Sequence, residues 1–332
     1  MNSKSRLKNQ AQSEKVDYSS PMSGDFIPVF SGGTGRSGTT IIANLLHRHP
    51  EIHTSLPREI RYLTDRRGLL DLNFGRPLNF ETNRRELATR LTLTTRVLLG
   101  RDTRQDMFKS CMYRRWWNQP GKNGKPKGLI RGLSTDELES ALNRFDSNFP
   151  VSAVSASREL FFELCNMQIR DPIVKYFIDS TPLNIQNADR ILRLLPDSLF
   201  LNMVRDGRDV AISVSKETWG PNSPEDALGW WKARIEKSFS ALKRIPEKNY
   251  LTLRLEDLVE REREESYKKV LTFLNLEENM ELRNYFEKVL SADKMSKGSW
   301  VKTVENPEKF NAKYTEILKS LASKGIVIDQ YY

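Results

Sequence analysis

One stretch decides the fold of this 332-residue chain: residues 26–50 read FIPVFSGGTGRSGTTIIANLLHRHP. The apolar run at 26–30 predicts a buried strand, although Pro28 is uncommon inside one. A glycine-rich turn follows, and the pattern predicts a helix over 38–49 that Pro50 ends. A strand, a glycine-rich turn and a helix in this order are typical of a ligand-binding unit in an α/β protein.

Three further segments repeat the strand-then-helix pattern. Apolar runs at 176–178, 199–204 and 250–254 are each followed by a polar turn and a helical pattern. Such alternation predicts a parallel β-sheet with helices on both faces. Ligands of these sheets lie where strand ends meet helix starts, so the site is expected at that edge.

We expect one domain over residues 26–332, with a helical insertion at about 75–172, preceded by a flexible polar tail at 1–25. No stretch approaches the roughly 20 apolar residues of a membrane-spanning helix, and no signal-peptide core is present. The two cysteines form no disulfide framework. A cytoplasmic protein is the resulting expectation, with a truncated lumenal enzyme as the alternative.

The net charge of +10 predicts an anionic partner. Nucleic acid, lipid headgroups at a membrane surface, an acidic glycan and a polyphosphorylated nucleotide all satisfy it. Charge alone does not choose among them.

The glycine-rich turn has the composition of a phosphate-binding loop. Its glycines allow backbone N–H groups to point at one anion, and the start of the next helix adds positive potential. The spacing from Gly33 to Gly38 matches a nucleoside triphosphatase loop, but Thr39 occupies the place of the essential lysine. Arg36 is the loop's cation. The pattern therefore indicates a phosphate-like ligand without triphosphate hydrolysis; an ordinary glycine-rich turn is the alternative.

A second candidate anion site follows the strand at 199–204. Arg205 at the strand end and Ser213 about two helical turns later can grip one small anion. Taken alone, the run from Arg205 to Arg208 is more often a surface salt-bridge cluster.

Together these motifs resemble the family of sulfotransferases that use 3′-phosphoadenosine 5′-phosphosulfate (PAPS), over roughly residues 26–300. The nearest branches in motif act on glycans or on protein tyrosine with a glutamate base. The resemblance implies a P-loop-like sulfotransferase fold, release of 3′-phosphoadenosine 5′-phosphate (PAP), and no metal. It assigns the 5′-phosphosulfate to Gly35, Arg36, Ser37, Gly38, Thr39 and Thr40, and the 3′-phosphate to Arg205, Ser213, Lys297 and Gly298.

Glu59 is the predicted catalytic base, by resemblance to the glutamate of those branches, and Arg36 the predicted catalytic cation. An acceptor hydroxyl must lose a proton, so a base is needed near the phosphosulfate. A surface carboxylate paired with Arg58 or Arg61 is the alternative role for Glu59. The histidines at 47, 49 and 53 are expected to be structural or exposed.

Two positions depart from the family pattern. Ser180 stands where several relatives carry a lysine, so either Arg36 acts alone or another cation, such as Lys175 or Lys109, replaces it. Leu255 stands where an aromatic residue is common.

Residues 107–131 are rich in lysine, arginine and tryptophan, a composition that suits sugar rings and acidic groups or, equally, a packed tryptophan pair beside a solvated loop. A carbohydrate or glycolipid acceptor is the first expectation, followed by a peptide tyrosine or a small alcohol, and an amine acceptor stays open. The rival classes are a P-loop small-molecule kinase and a basic nucleic-acid-binding protein.

Overall fold

The computed structural model describes residues 26–75, 103–121, 124, 126–292 and 297–328. The predicted tail at 1–25 and residues 76–102 of the predicted insertion lie outside the described residues. The strands among them are, in chain order, β1 (Ile27–Gly33), β2 (Ile52–Thr54), β3 (Gln119–Pro120), β4 (Pro126–Lys127), β5 (Tyr176–Asp179), β6 (Leu199–Val204) and β7 (Tyr250–Arg254).

The described α-helices are, in chain order, α1 (Thr39–Leu46), α2 (Arg61–Thr64), α3 (Leu69–Phe74), α4 (Arg104–Cys111), α5 (Thr135–Asn148), α6 (Ala153–Asn166), α7 (Ala188–Leu194), α8 (Gly207–Val214), α9 (Pro224–Leu242), α10 (Arg263–Phe273), α11 (Met280–Lys288), α12 (Trp300–Thr303) and α13 (Pro307–Ala322). Tighter or wider helical turns lie at Met112–Trp117, Leu129–Arg131, Pro182–Asn187 and Asp257–Arg261. No helix in the described ranges is long and apolar enough to cross a membrane.

The central sheet has five parallel strands in the order β2-β5-β1-β6-β7. The predicted parallel sheet flanked by helices is thus confirmed, and each of the four predicted strands is present. β1 continues to Gly33, three residues beyond the predicted end, because Ser31, Gly32 and Gly33 pair with β6. β2 was not predicted, because its three residues are too few to show a strand pattern.

Neighbouring residues of β1 serve the two faces of the sheet. Val29 packs with α1 and α10 on one face, whereas Phe30 packs with Phe161 and Phe200 on the other. Strands covered on both faces read as continuous apolar runs, which is why the sequence pattern predicted them.

The strand order brings the predicted site residues to one edge of the sheet. From β1 the chain crosses to β2 on the β5 side, whereas β6 and β7 lie on the other side. The loop after β1 therefore lies beside those after β5 and β6, at a topological switch point where a crevice forms. The long helix α9 and the C-terminal helix α13, which the sequence analysis did not predict, pack against α8 at this crevice.

Candidate functional site

The loop after β1 is wound tightly by left-handed backbone conformations. Gly35, Arg36 and Gly38 have φ angles of 89°, 58° and 98°. Successive N–H groups of such a turn point toward one concave side, where an anion binds. Gly38 also permits close packing, because a Cβ there would lie 2.8 Å from Cδ1 of Leu255. Leu255, the departure from the aromatic pattern, thus fills the space beneath the loop.

The start of α1 has hydrogen-bond donors to offer. No side chain caps the helix, and no acidic residue lies in its first turn. The buried Ser37 hydroxyl has no hydrogen-bond partner among the described residues. Because buried polar groups are nearly always hydrogen-bonded, this orphan points to a missing ligand. The loop therefore fits the phosphate-like group that the sequence predicts.

The two predicted anion sites meet in the structure. The guanidinium Nε of Arg36 donates to the Ser213 hydroxyl at 2.9 Å, and Nη1 of Arg205 donates to the Arg36 carbonyl at 3.1 Å. Residues 177 positions apart are thus in direct contact. One ligand of nucleotide size can reach both sites.

The turn after β6 is a buried ion-pair network rather than the exposed cluster that was the alternative. Arg208 and Asp206 are both almost fully buried, and two guanidinium nitrogens donate to the carboxylate at 2.7 and 3.0 Å. The guanidinium lies between the rings of Trp300 and Tyr314. Oε1 of Glu256 accepts from the Asp206 N–H at 2.8 Å, which ties the ends of β6 and β7 together.

The segment at 297–300 closes over α8. The Gly298 N–H donates to Asp209 of α8 at 3.2 Å, and the Trp300 ring covers Arg208. Lys297 forms an ion pair with Glu260. Gly298 therefore lies against the helix that carries Ser213, and Lys297 would have to leave Glu260 to contact a phosphate.

Glu59 faces a cavity of about 310 Å³ that reaches the start of α1. Thr40 and Ser180 line the cavity on the sheet side. No described cation forms an ion pair with Glu59, because Arg61 pairs with Asp65 at 3.2 Å and Arg58 donates to Asn44. The paired surface carboxylate that was the alternative role is therefore not what the structure contains.

The environment of Glu59 suits a proton acceptor. Its side chain is open to solvent through the cavity, but the surrounding protein partly desolvates it, which raises the pKa of its carboxyl. Nearby Arg61 and Lys127 lower that pKa, and Asp65 raises it. Desolvation is the largest effect, so the carboxylate is a stronger base than an ordinary glutamate.

The Glu59 turn is fastened to the end of β5. The Arg58 carbonyl accepts from both the N–H and the hydroxyl of Ser180, at 2.9 and 3.0 Å. Oδ1 of Asp179 accepts from the Ile60 N–H at 2.9 Å. Ser180 thus anchors the Glu59 turn by two hydrogen bonds, at the position where the family resemblance leads one to expect a lysine.

Burial raises the pKa of Asp179 to about 6, despite hydrogen bonds from Ile60, Asn184 and Thr181 that lower it. The folded chain therefore binds this proton more tightly than the unfolded chain. The stabilising contribution is complete below about pH 4 and is lost as the pH rises through 6. We expect Asp179→Asn to flatten this part of the pH profile of the unfolding free energy, measured with urea. An unchanged slope between pH 4 and 6 would contradict the shift.

The two lysines predicted as replacements for the cation missing at Ser180 lie elsewhere. Lys175 precedes β5, at the opposite edge of the sheet, and pairs with Glu51 at 2.6 Å. Lys109 pairs with Asp146 of α5. Arg58 contacts Ser180 through its backbone carbonyl, while its guanidinium donates to Asn44, one helical turn after Thr40 on α1.

The histidines have structural surroundings, as expected. His49 is buried and hydrogen-bonds the Glu277 carbonyl at 2.9 Å, while the His53 ring packs on Phe177. His47 is largely exposed, and partial desolvation by the surrounding protein, together with the charges of Arg48 and Arg58, lowers its pKa.

An aromatic wall that the sequence did not predict lies beside the glycine-rich loop. A Cβ on Gly35 would lie 3.7 Å from the Trp219 ring and 3.8 Å from the Trp230 ring. Arg234 lies over the Trp230 ring at 4.1 Å and donates to the Thr34 carbonyl at 3.1 Å. Burial lowers the pKa of Arg234 to about 10, so it keeps its charge near neutral pH. The adjacent tryptophans at 230 and 231 were the available sequence signal for this wall. They do not follow the end of a predicted strand, which is where site residues were expected.

The segment at 107–131 combines both interpretations left open for it. Trp116 is buried, and its ring centre lies 6.0 Å from that of Phe108. Its indole N–H donates to the Asp65 carboxylate at 3.3 Å. The exposed Arg115 and Lys127 line the cavity. Lys122 and Lys125 lie outside the described residues. Trp116 thus belongs to the core, whereas Arg115 and Lys127 face the cavity.

A comparison with known protein families identifies the family of this chain. A profile of the sulfotransferase family matches residues 28–280, so the chain belongs to that family. No curated protein sequence matches it significantly. Among the described residues, no group of three or more side chains that could hold a metal ion comes together.

Several solved structures are similar in overall arrangement at low identity. Sulfotransferase STF9 from Mycobacterium avium is 14% identical, with a TM-score of 0.46 over 91% of this chain and 77% of that chain. The sulfotransferase domain of the Synechococcus PCC 7002 olefin synthase is 15% identical, with a TM-score of 0.48 over 91% and 97%. The sulfotransferase domain from the curacin biosynthetic pathway is 14% identical, with a TM-score of 0.48 over 90% and 97%.

Proposed function

We propose that this sulfotransferase moves the sulfuryl group of PAPS to an acceptor hydroxyl, with a carbohydrate or glycolipid as the acceptor. The loop residues 35–40 hold the 5′-phosphosulfate. Arg205 and Ser213 hold the 3′-phosphate, with Gly298 and a displaced Lys297 closing over it. The observation that carries this proposal is the contact of Arg36 with Ser213 at 2.9 Å, because it brings the glycine-rich loop and α8 within the span of one nucleotide and so supports a ligand that bridges them.

The transfer step divides between Glu59 and the cations. The Glu59 carboxylate takes the hydroxyl proton while the acceptor oxygen attacks sulfur. The bond from sulfur to the bridging oxygen breaks, and PAP leaves with the electron pair. Arg36 and the loop N–H groups stabilise the charge that develops on the leaving phosphate, since fixed donors need no reorganisation during the step. Arg58, which lines the same cavity, assists them in this proposal.

A P-loop kinase is less well supported, since Thr39 replaces the lysine on which phosphoryl transfer in P-loop enzymes relies. A nucleic-acid-binding function has no supporting observation among the described residues, since the cations around Glu59 and the phosphate loop converge in a concave site rather than along an open face.

Nucleotide binding tests the proposal directly. We expect PAP at about 100 times its dissociation constant to add about 2.7 kcal/mol to the unfolding free energy. 5′-AMP, which lacks only the 3′-phosphate, and ATP should raise the melting temperature far less. Differential scanning fluorimetry gives the comparison.

The matched variant is Ser213→Ala, which removes one hydroxyl and no charge. It should weaken PAP binding several-fold and leave the weak binding of 5′-AMP unchanged. Equal shifts with PAP and 5′-AMP in the unaltered protein would overturn the two-site arrangement.

A further inference from the structure

The cavity beside Glu59 is strongly cationic. Its charged lining consists of one carboxylate and five cations: Glu59, Arg58, Arg61, Arg115, Lys127 and Arg131. Asp65 neutralises Arg61, which leaves four cations facing one carboxylate. Such an excess in a concave site attracts anions, because low-dielectric walls focus the field.

Three of these cations belong to the wall that lies away from the phosphate loop. Arg115 is in the helical turn Met112–Trp117, Lys127 in β4 and Arg131 in the turn Leu129–Arg131. The phosphosulfate loop and Ser180 belong to the sheet side. The three cations therefore face whatever occupies the cavity from the acceptor side, rather than the nucleotide.

The backbone that carries these exposed cations is tightly packed. Gly128 has a φ of 105°, and a Cβ there would lie 2.4 Å from the Trp117 carbonyl oxygen, so β4 is pressed against the preceding turn. The Arg115 guanidinium lies 5.8 Å from the Trp116 ring centre. Among the described residues, no carboxylate forms an ion pair with Arg115, Lys127 or Arg131.

We propose that the acceptor is anionic: a hydroxyl compound whose carboxylate or sulfate group binds Arg115, Lys127 and Arg131 while its hydroxyl faces Glu59. This inference rests on the proposed function, since it names the substrate class of the same site. Charge-assisted hydrogen bonds to such a group are the strongest polar contacts that a protein surface provides. Among the residues that line the cavity, a neutral acceptor would leave these three cations facing only the Glu59 carboxylate.

Anion binding tests the wall without requiring the true acceptor. The probe is inorganic sulfate, titrated by calorimetry at low ionic strength into the full chain saturated with PAP. We expect Lys127→Gln/Arg131→Gln to weaken sulfate binding by about tenfold or more, as expected for lost charge-assisted hydrogen bonds. The control is Lys237→Gln/Lys248→Gln, which removes two exposed cations outside the cavity and should leave sulfate binding unchanged.

Matched acceptors test the substrate class. Turnover with labelled PAPS is compared for p-nitrophenyl β-glucuronide, the corresponding glucoside 6-sulfate and the neutral glucoside. We expect kcat/KM to be at least about tenfold higher for a charged member, and this preference to vanish in Lys127→Gln/Arg131→Gln. Whichever of the glucuronide and the glucoside 6-sulfate has the higher kcat/KM identifies the anionic group that the site prefers.

The outcomes separate the two proposals. Equal sulfate affinity of the unaltered protein and the double variant would overturn the anionic acceptor, whatever the sugar probes do. A preference for the neutral glucoside would overturn it as well. Absence of PAP binding would instead overturn the proposed function, and the sulfate comparison between the two proteins would then be made without PAP.

Discussion

Arg36→Ala is expected to reduce the transfer of labelled sulfate from PAPS by about 10³-fold or more, as for removal of a transition-state cation. Arg36 is the cation of the loop, and it also contacts Ser213. Its removal leaves the loop N–H groups to bind the phosphosulfate but takes away the loop cation that would stabilise the leaving phosphate. The measurement is kcat at saturating PAPS, with PAP affinity measured separately.

Arg36→Lys is the matched control, because it keeps the charge and loses the forked guanidinium. Position 36 has a left-handed backbone with a φ of 58°, and both substituted side chains must adopt it. A difference in activity between the two variants therefore reflects the loss of the charge and not backbone strain. We expect Arg36→Lys to retain a measurable part of the activity. Activity of Arg36→Ala within about tenfold of the unaltered protein would remove Arg36 from the catalytic step.

Glu59→Gln is expected to lower kcat by about 10²–10⁴-fold while PAP binds with unchanged affinity, the range for loss of a positioned base. Glutamine keeps the size of the side chain and cannot accept the acceptor proton. Because desolvation raises the pKa of Glu59, the acid limb of kcat/KM should lie above the ordinary pKa of a glutamate. Activity should fall as the pH drops through that limb, where the base becomes protonated.

Glu217→Gln is a control of the same chemistry on the other side of the loop. Glu217 lies 3.8 Å from Arg36 and does not line the Glu59 cavity. It should leave the acid limb of the pH profile in place, whereas Glu59→Gln should abolish the limb. A Glu59→Gln enzyme with normal turnover would assign the proton to another group or to solvent.

The sequence predicted the elements that carry the proposed nucleotide site because their information is local. The strand at 199–204 was predicted with its observed bounds, since a strand covered on both faces shows as an uninterrupted apolar run. The glycine loop was predicted because only certain residues tolerate the backbone angles found at Gly35 and Gly38. Resemblance then named the ligand that such a loop takes.

Other features depended on contacts between distant segments. Trp219 and Trp230 approach Gly35 only because α9 packs over β1, and no local pattern marks that approach. The role of Ser180 was equally hidden, because its partner is a backbone carbonyl at Arg58, 122 positions away. Short β2 showed no period at all.

By itself, the sequence determined a parallel sheet with a glycine-rich loop after its first strand, because apolar runs and glycine spacing are properties of neighbouring residues. Only the tertiary structure decided that Arg36 meets Ser213 and that Arg115, Lys127 and Arg131 converge on the Glu59 cavity. The reason is physical: strand order and packing, not chain proximity, bring charges together. The charges in a site thus depend on the whole fold, whereas the loop depends on eight residues.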